Sequence, residues 1–375
     1  LDETSSPPAE RSLESATELH RAGNLTDARR LYQLALAAAP NHAVALFRAG
    51  LLELQDGRPE AALTLVEQAA ATAPDEPRHL VGLSQVFQTL HRYEEAAAAS
   101  RRVLQVDPQC ADAHFGLGLA LQSLHDYDSA IGAYEAAARC QPNYSEAFNN
   151  IGNCQKLSGR TVQAAAAYEL ALTLAPDNAD AMSNLGTLWQ EMGRLDEAVA
   201  LLSSAVARRP GVAPYAVNLG IALCRQRNFA AAEGVLSRTL ESNADNPEAA
   251  FNLGNARHGL GRLREAADQY RQAIALRPDY ADAMNNLGNL HKELGEFTAA
   301  ETAYDSAARV RPGEVAALNN LGCLLRARGR LEEAEAVLRR GLQSNPDHPA
   351  LLDNLGSVLK DAGELDEAVA CFRQA

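Results

Sequence analysis

The chain has 375 residues, with 48 acidic against 34 basic side chains and a formal net charge of −14. That surplus of carboxylates disfavours nucleic acid as the main partner, because phosphate binding needs an excess of Lys and Arg, and no apolar run approaches the roughly 20 residues that cross a bilayer. Aromatic residues make up only 5% and alanine is abundant, a mixture that suits closely packed helices better than sheets.

In chain order, residues 1–8 form a polar, proline-containing stretch that reads as a flexible leader. From residue 9 onward the chain repeats itself every 34 residues, the signature of a repeat architecture. Proline closes the periods at Pro40, Pro74, Pro108, Pro142, Pro176, Pro210, Pro278, Pro312 and Pro346, with Ala244 in the slot between Pro210 and Pro278. Ten residues after each slot stands a glycine, as at Gly50, Gly118, Gly152, Gly186, Gly220, Gly254, Gly288, Gly322 and Gly356, with Ser84 the exception. Twenty-two residues after each slot stands an alanine, from Ala62 to Ala368. Ten full units, 9–42 through 315–348, precede a truncated eleventh, 349–375.

Each unit is predicted to be a helix A, a tight turn, a helix B and a second turn. Small residues at the glycine and alanine slots let two helices approach closely, and Tyr134, Tyr168, Tyr270, Tyr304 and Phe372 are expected to fill the space beside them. A second glycine, as at Gly57, Gly159, Gly193, Gly261, Gly295, Gly329 and Gly363, follows helix A where a left-handed cap is expected, and His91, His125 and Arg227 occupy that slot elsewhere. The proline then stops helix B. The unit between Gly211 and Asn246 is the least regular, with Pro214 early in helix A and Pro247 expected to restore a stop three residues late. No unit can bury its apolar face alone, so neighbours must stack.

These features resemble the tetratricopeptide repeat family over residues 9–375. The resemblance implies an all-α, right-handed superhelical solenoid whose helix A residues line a concave surface. The last unit stops inside its helix B without a polar capping helix, so the natural chain is expected to continue beyond Ala375. The six cysteines, Cys110, Cys140, Cys154, Cys224, Cys323 and Cys371, show no C-x-x-C spacing. They read as reduced residues of a cytoplasmic protein, with no disulfide framework and no metal site.

Two residues before the slot glycine the units read Glu14, Arg48, Gly82, Gly116, then Asn150, Asn184, Asn218, Asn252, Asn286, Asn320 and Asn354. Further asparagines cluster beside this column, at Asn149, Asn153, Asn255, Asn285, Asn289 and Asn319. Asn inside a helix costs about 0.6 kcal/mol relative to Ala, so helix stability does not explain the column. A carboxamide offers an acceptor and two donors, which match the C=O and N–H of a peptide group. Stacked helices lie about 8–10 Å apart and an extended peptide advances about 3.3 Å per residue, so each Asn would meet every third ligand residue. Seven would follow a segment of about 18–20 residues on that spacing. Two other readings stand beside this one: shared residues left by duplication, and a hydrogen-bond row tying neighbouring units. Replacing Asn252, Asn286 and Asn320 by Ala is expected to raise stability, by up to about 0.6 kcal/mol each, while weakening peptide binding.

Blocks such as Asn149-Asn150-Ile151-Gly152-Asn153, Asn285-Asn286-Leu287-Gly288-Asn289 and Asn319-Asn320-Leu321-Gly322 resemble the repeat region of the protein O-linked N-acetylglucosamine transferases. The resemblance implies a concave asparagine ladder gripping the backbone of extended substrates, ahead of a separate catalytic region. Carried over, the ladder is Asn150, Asn184, Asn218, Asn252, Asn286, Asn320 and Asn354, with Asn153, Asn255 and Asn289 beside it. The first four units depart from this pattern.

Near the start of helix A lies an acidic row, Asp112, Glu146, Asp180, Glu248 and Asp282, and near its end a basic row, Lys156, Lys292, Arg326 and Lys360. Both signs suit the helix dipole, and both are candidate groove charges that would form rims about 15 Å apart. The residue before each column Asn is never Lys, which argues against the carboxylate clamp of co-chaperones. No phosphate loop, nucleophile elbow or H-E-x-x-H motif is present, so the chain itself reads as non-catalytic and without a cofactor. The sequence therefore points to a scaffold for extended polypeptide, and the resemblance implies the substrate-recruiting part of a glycosyltransferase. A stand-alone assembly adaptor and a module of a different enzyme are the alternatives, and homodimer formation is left open.

Overall fold

The computed structural model describes residues 8–375, so the expected leader, 1–8, lies outside the described residues apart from Pro8, which already starts a helix. The described residues are helices joined by short turns, and they divide into two compact units, ending at Leu185 and beginning at Gly186.

The unit ending at Leu185 contains α1 (Pro8–Arg21), α2 (Leu25–Ala38), α3 (Ala43–Gln55), α4 (Pro59–Thr72), α5 (Pro77–Thr89) and α6 (Tyr93–Val106). It continues through α7 (Ala111–Ser123), α8 (Tyr127–Cys140), α9 (Ser145–Leu157) and α10 (Thr161–Leu174) into α11 (Ala179–Glu191), within which the division falls. The unit from Gly186 onward contains α12 (Leu195–Arg208), α13 (Ala213–Arg225), α14 (Phe229–Ser242), α15 (Pro247–Gly259) and α16 (Leu263–Leu276). It ends with α17 (Ala281–Glu293), α18 (Phe297–Val310), α19 (Val315–Ala327), α20 (Leu331–Ser344), α21 (Pro349–Ala362) and α22 (Leu365–Gln374). From the second repeat on, every helix A begins at the first residue of its predicted period. None of the described helices is long and apolar enough to cross a membrane.

The periodic small residues do what their size allows. A Cβ on Gly118, Gly152, Gly254 or Gly288 would come within about 2.6 Å of the ring of Tyr134, Tyr168, Tyr270 or Tyr304, sixteen residues on in helix B. Where helix B supplies Leu202, Leu236 or Leu338, the glycine partner is Gly186, Gly220 or Gly322. The exception explains itself: Ser84 faces Ser100, and their hydroxyls bond at 2.8 Å while Ser84 also donates to the Ala96 carbonyl. A small residue opposite leaves room for a hydroxyl, and the hydroxyl finds partners.

At the turn after helix A the backbone is left-handed throughout, including at His91, His125 and Arg227, with φ of 57°, 62° and 63°. The two histidines offset part of that strain by bonding the tyrosine two residues on, His91 to Tyr93 at 2.6 Å and His125 to Tyr127 at 2.9 Å.

The expectation for Pro247 is corrected. It lies in the first turn of α15 and starts that helix, behind Asn246, whose side chain accepts the Ala249 N–H at 2.8 Å. Helix α14 ends at Ser242 without any proline, and the Asn243 N–H bonds the Thr239 carbonyl as the proline-bearing repeats bond theirs. Helix B thus ends by its own capping geometry, and the proline seals an end already formed.

Candidate functional site

The asparagine column lies on helix A, two residues before the slot glycine that packs helix A against helix B, and so roughly half a turn away from that packing face. Its carboxamides are half-buried, except Asn252, which is 8% exposed. Their partners follow a simple rule. Asn184, Asn286, Asn320 and Asn354 reach back to one or both of two positions of the preceding repeat, the residue just before its column and the residue three after it. Asn184 finds asparagine at both and donates Nδ2 to Asn149 Oδ1 at 2.9 Å and Asn153 Oδ1 at 3.1 Å. Asn320 does the same with Asn285 at 3.0 Å and Asn289 at 3.1 Å. Asn286 and Asn354 find one each, Asn255 at 3.0 Å and Asn319 at 2.7 Å. Asn252 faces a repeat with Val217 and Ile221 at those positions, and turns back to its own Glu248 carbonyl at 2.8 Å. Asn150, behind Phe115 and Leu119, accepts from Asn149 Nδ2 at 3.4 Å, and the Tyr134 hydroxyl donates to Gln122 Oε1 at 2.8 Å.

A second set of partners was not foreseen from the sequence. Tyr168, Tyr270 and Tyr304 donate their hydroxyls to Asn153, Asn255 and Asn289 Oδ1 at 2.7, 2.9 and 2.8 Å. The signal was available, because asparagine stands three after the column only in repeats whose helix B supplies Tyr at the packing position. Repeats with Leu202, Leu236 and Leu338 carry Thr187, Ile221 and Cys323 there.

These bonds change what each amide can offer. The Oδ1 of Asn153 and of Asn289 accepts from both a tyrosine and a column asparagine, which uses its two lone pairs and leaves Nδ2 neither bonded nor sealed among the described residues. Asn184 and Asn320 spend both N–H groups on the preceding repeat and keep Oδ1, which is neither bonded nor sealed among the described residues. The complement to a peptide group is therefore divided between neighbouring repeats, with the donor on Asn153 or Asn289 and the acceptor on Asn184 or Asn320. The same bonds reverse the stability expected on removing Asn286 or Asn320, since each ties two repeats together. Asn218 is half-buried and hydrogen-bonded or otherwise engaged.

The charged rows are only partly open. Glu248 pairs with Arg277, Asp282 with Arg311 at 3.5 Å, and Arg326 with Asp361 at 2.6 Å; Asp180 and Lys156 also have partners. Asp112 and Glu146 lie near Tyr144, and Glu248 and Asp282 near Tyr280; burial first, then these carboxylates, push each phenol up to about 12, with Arg277 opposing at Tyr280. Burial also raises the Cys323 thiol, against the pull of Lys292 and Arg326. The basic row thus runs beside the position three after the column. Lys292 and Lys360 are exposed.

Sequence models described as tetratricopeptide repeat match residues 13–77, 81–145 and 285–349, and residues 157–219, 191–255 and 325–375; one described as TPR repeat matches 254–295. No curated protein matches the chain. Among solved structures, yeast Tom70 is similar over 98% of this chain and 91% of its own, at 13% identity and a TM-score of 0.53. A tetratricopeptide repeat protein from Parabacteroides merdae is similar over 66% of this chain and 98% of its own, at 16% identity and a TM-score of 0.55. At these identities the likeness concerns the fold alone.

Proposed function

This chain belongs to the tetratricopeptide repeat family, and from that membership and the asparagine geometry we propose that it is a non-catalytic scaffold that binds extended polypeptide through main-chain groups. The observation that carries the reading is the divided amide: Asn153 Nδ2 with Asn184 Oδ1, and Asn289 Nδ2 with Asn320 Oδ1. Each of the two compact units has one such donor–acceptor pair on adjacent repeats. A peptide group presents the opposite pair, and its recognition needs nothing from the ligand's side chains. We take residues 9–375 as one repeat array, because the period runs on without a break in sequence. The asparagine blocks support assigning the array to the substrate-recruiting part of a protein O-linked N-acetylglucosamine transferase-like enzyme, whose substrates would be protein segments.

A direct test compares an extended peptide with analogues in which single backbone amides are replaced by esters, which removes one N–H at a time. Loss of the N–H that meets Asn320 Oδ1 should weaken binding by about 0.5–1.5 kcal/mol, and Asn320→Ala should abolish the difference. A uniform response to every ester would overturn backbone recognition at this site. The inter-repeat bonds favour a second reading, in which the column only ties repeats. On that reading Asn286→Ala lowers stability and leaves peptide affinity as it was.

A further inference from the structure

The first four repeats lack column asparagines, and a different site stands in the first three. A cavity of about 870 Å³ opens between α1, α3 and α5, with Arg21, Arg48 and Arg78 against a single carboxylate, Glu76, on its walls. Its volume falls in the range of ligand pockets. Arg48 occupies the column position itself, and Arg78 begins α5. None of the three guanidinium groups has an ion-pair partner among the described residues. Elsewhere in these repeats Arg29 and Arg58 share Glu53 and Asp56 and Arg92 holds Glu95, while Arg30, Arg101 and Arg102 are unpaired among the described residues but lie outside the cavity. What sets Arg21, Arg48 and Arg78 apart is that they gather on one cavity. In a chain of net charge −14, a wall of three cations facing one anion runs against the general balance.

The aromatic floor also depends on a column residue. Phe47 lies where the side chain of Gly82 would be, since a Cβ there would stand 2.4 Å from the ring. The Phe47 ring packs on His79 with centroids 5.0 Å apart. His79 is 3% exposed, lines the cavity, and has its Nδ1 sealed without a hydrogen-bond partner. This repeat has Gly82 where later repeats carry asparagine, and the room so left is taken by an aromatic surface that shares the cavity with unpaired arginines.

We propose that this cavity is a separate docking site for an acidic peptide segment carrying a bulky apolar side chain. The apolar group covers Phe47, and flanking carboxylates take the guanidinium groups, whose planar forks match carboxylate geometry. This chemistry reads side chains, unlike the main-chain recognition assigned to the asparagines, so one site can fail without the other.

The test uses the full chain and fluorescein-labelled synthetic peptides, with binding read by anisotropy. One probe has Asp and Glu around a single Phe, a second has Asn and Gln in their place, and a third has Ala for Phe. The acidic Phe peptide should bind, about tenfold or more tighter than its amide counterpart, and should weaken as salt is raised. Arg48→Glu and Arg78→Glu should each lower its affinity about tenfold. Arg78 is exposed, so its variant keeps the fold, which far-UV circular dichroism checks. Gly82→Ala displaces Phe47 and should remove the preference for Phe over Ala. Equal binding of the acidic and amide peptides, no preference for Phe, or no loss in either arginine variant would each overturn the proposal.

Discussion

Replacing Asn320 by Ala separates helix propensity from inter-repeat bonding by sign. Propensity alone favours the change by about 0.6 kcal/mol. Against it stand two hydrogen bonds, to Asn285 Oδ1 at 3.0 Å and Asn289 Oδ1 at 3.1 Å. At about 0.5–1.5 kcal/mol each they contribute roughly 1–3 kcal/mol. The net expectation is a loss of roughly 0.4–2.4 kcal/mol, toward the lower end because the groups are half-buried and water can replace the lost donor. Asn252→Ala is the internal control, because Asn252 bonds its own helix at Glu248 and ties no repeat. Its stability should change by less than that of Asn320→Ala. Equilibrium urea denaturation followed by circular dichroism measures the total, and amide exchange in α17 and α19 locates the loss. If Asn320→Ala is as stable as the parent, or if Asn252→Ala loses more, the column does not join repeats and the division of donor and acceptor falls with it.

Gly288→Ala places a methyl about 2.6 Å from the Tyr304 ring and should destabilise by about 1–3 kcal/mol through overpacking, measured by the shift in urea midpoint; a neutral result would mean the helices separate freely. Arg227→Gly relieves a φ of 63° and should stabilise by roughly 1 kcal/mol in the same assay. Burial raises the Cys154 and Cys224 thiols from 9.0 to about 11. The folded state therefore prefers the neutral thiol, and the stability this provides is full below pH 9 and lost as pH rises to about 11. Denaturation midpoints across that interval should fall, and fall less in Cys154→Ala, while iodoacetamide at pH 8 should modify Cys154 only after unfolding.

How much was legible in the sequence varies with how local the physics is. The helix pairs, the left-handed turns and the glycine packing follow from size and backbone conformation at a fixed spacing, and Gly118 beside Tyr134 needed no coordinates to foresee. Pro247 was misread because proline serves at a helix end and at a helix start alike, and only the capping bonds on either side decide which. The asparagine column was visible as a pattern, but its chemistry was not. The sequence alone does not say that Asn184 reaches back to two acceptors in the preceding repeat while Asn252 finds none there.

The order of residues by itself determined that this protein is a helical repeat array, because each unit's small and large positions fit only one kind of pairing, and stacking is the only way to bury what remains. Tertiary structure decided which polar groups stay open. Hydrogen bonds are short and directional, so whether an amide presents its oxygen, its nitrogen or neither depends on neighbours some thirty residues away in sequence and about 3 Å away in space.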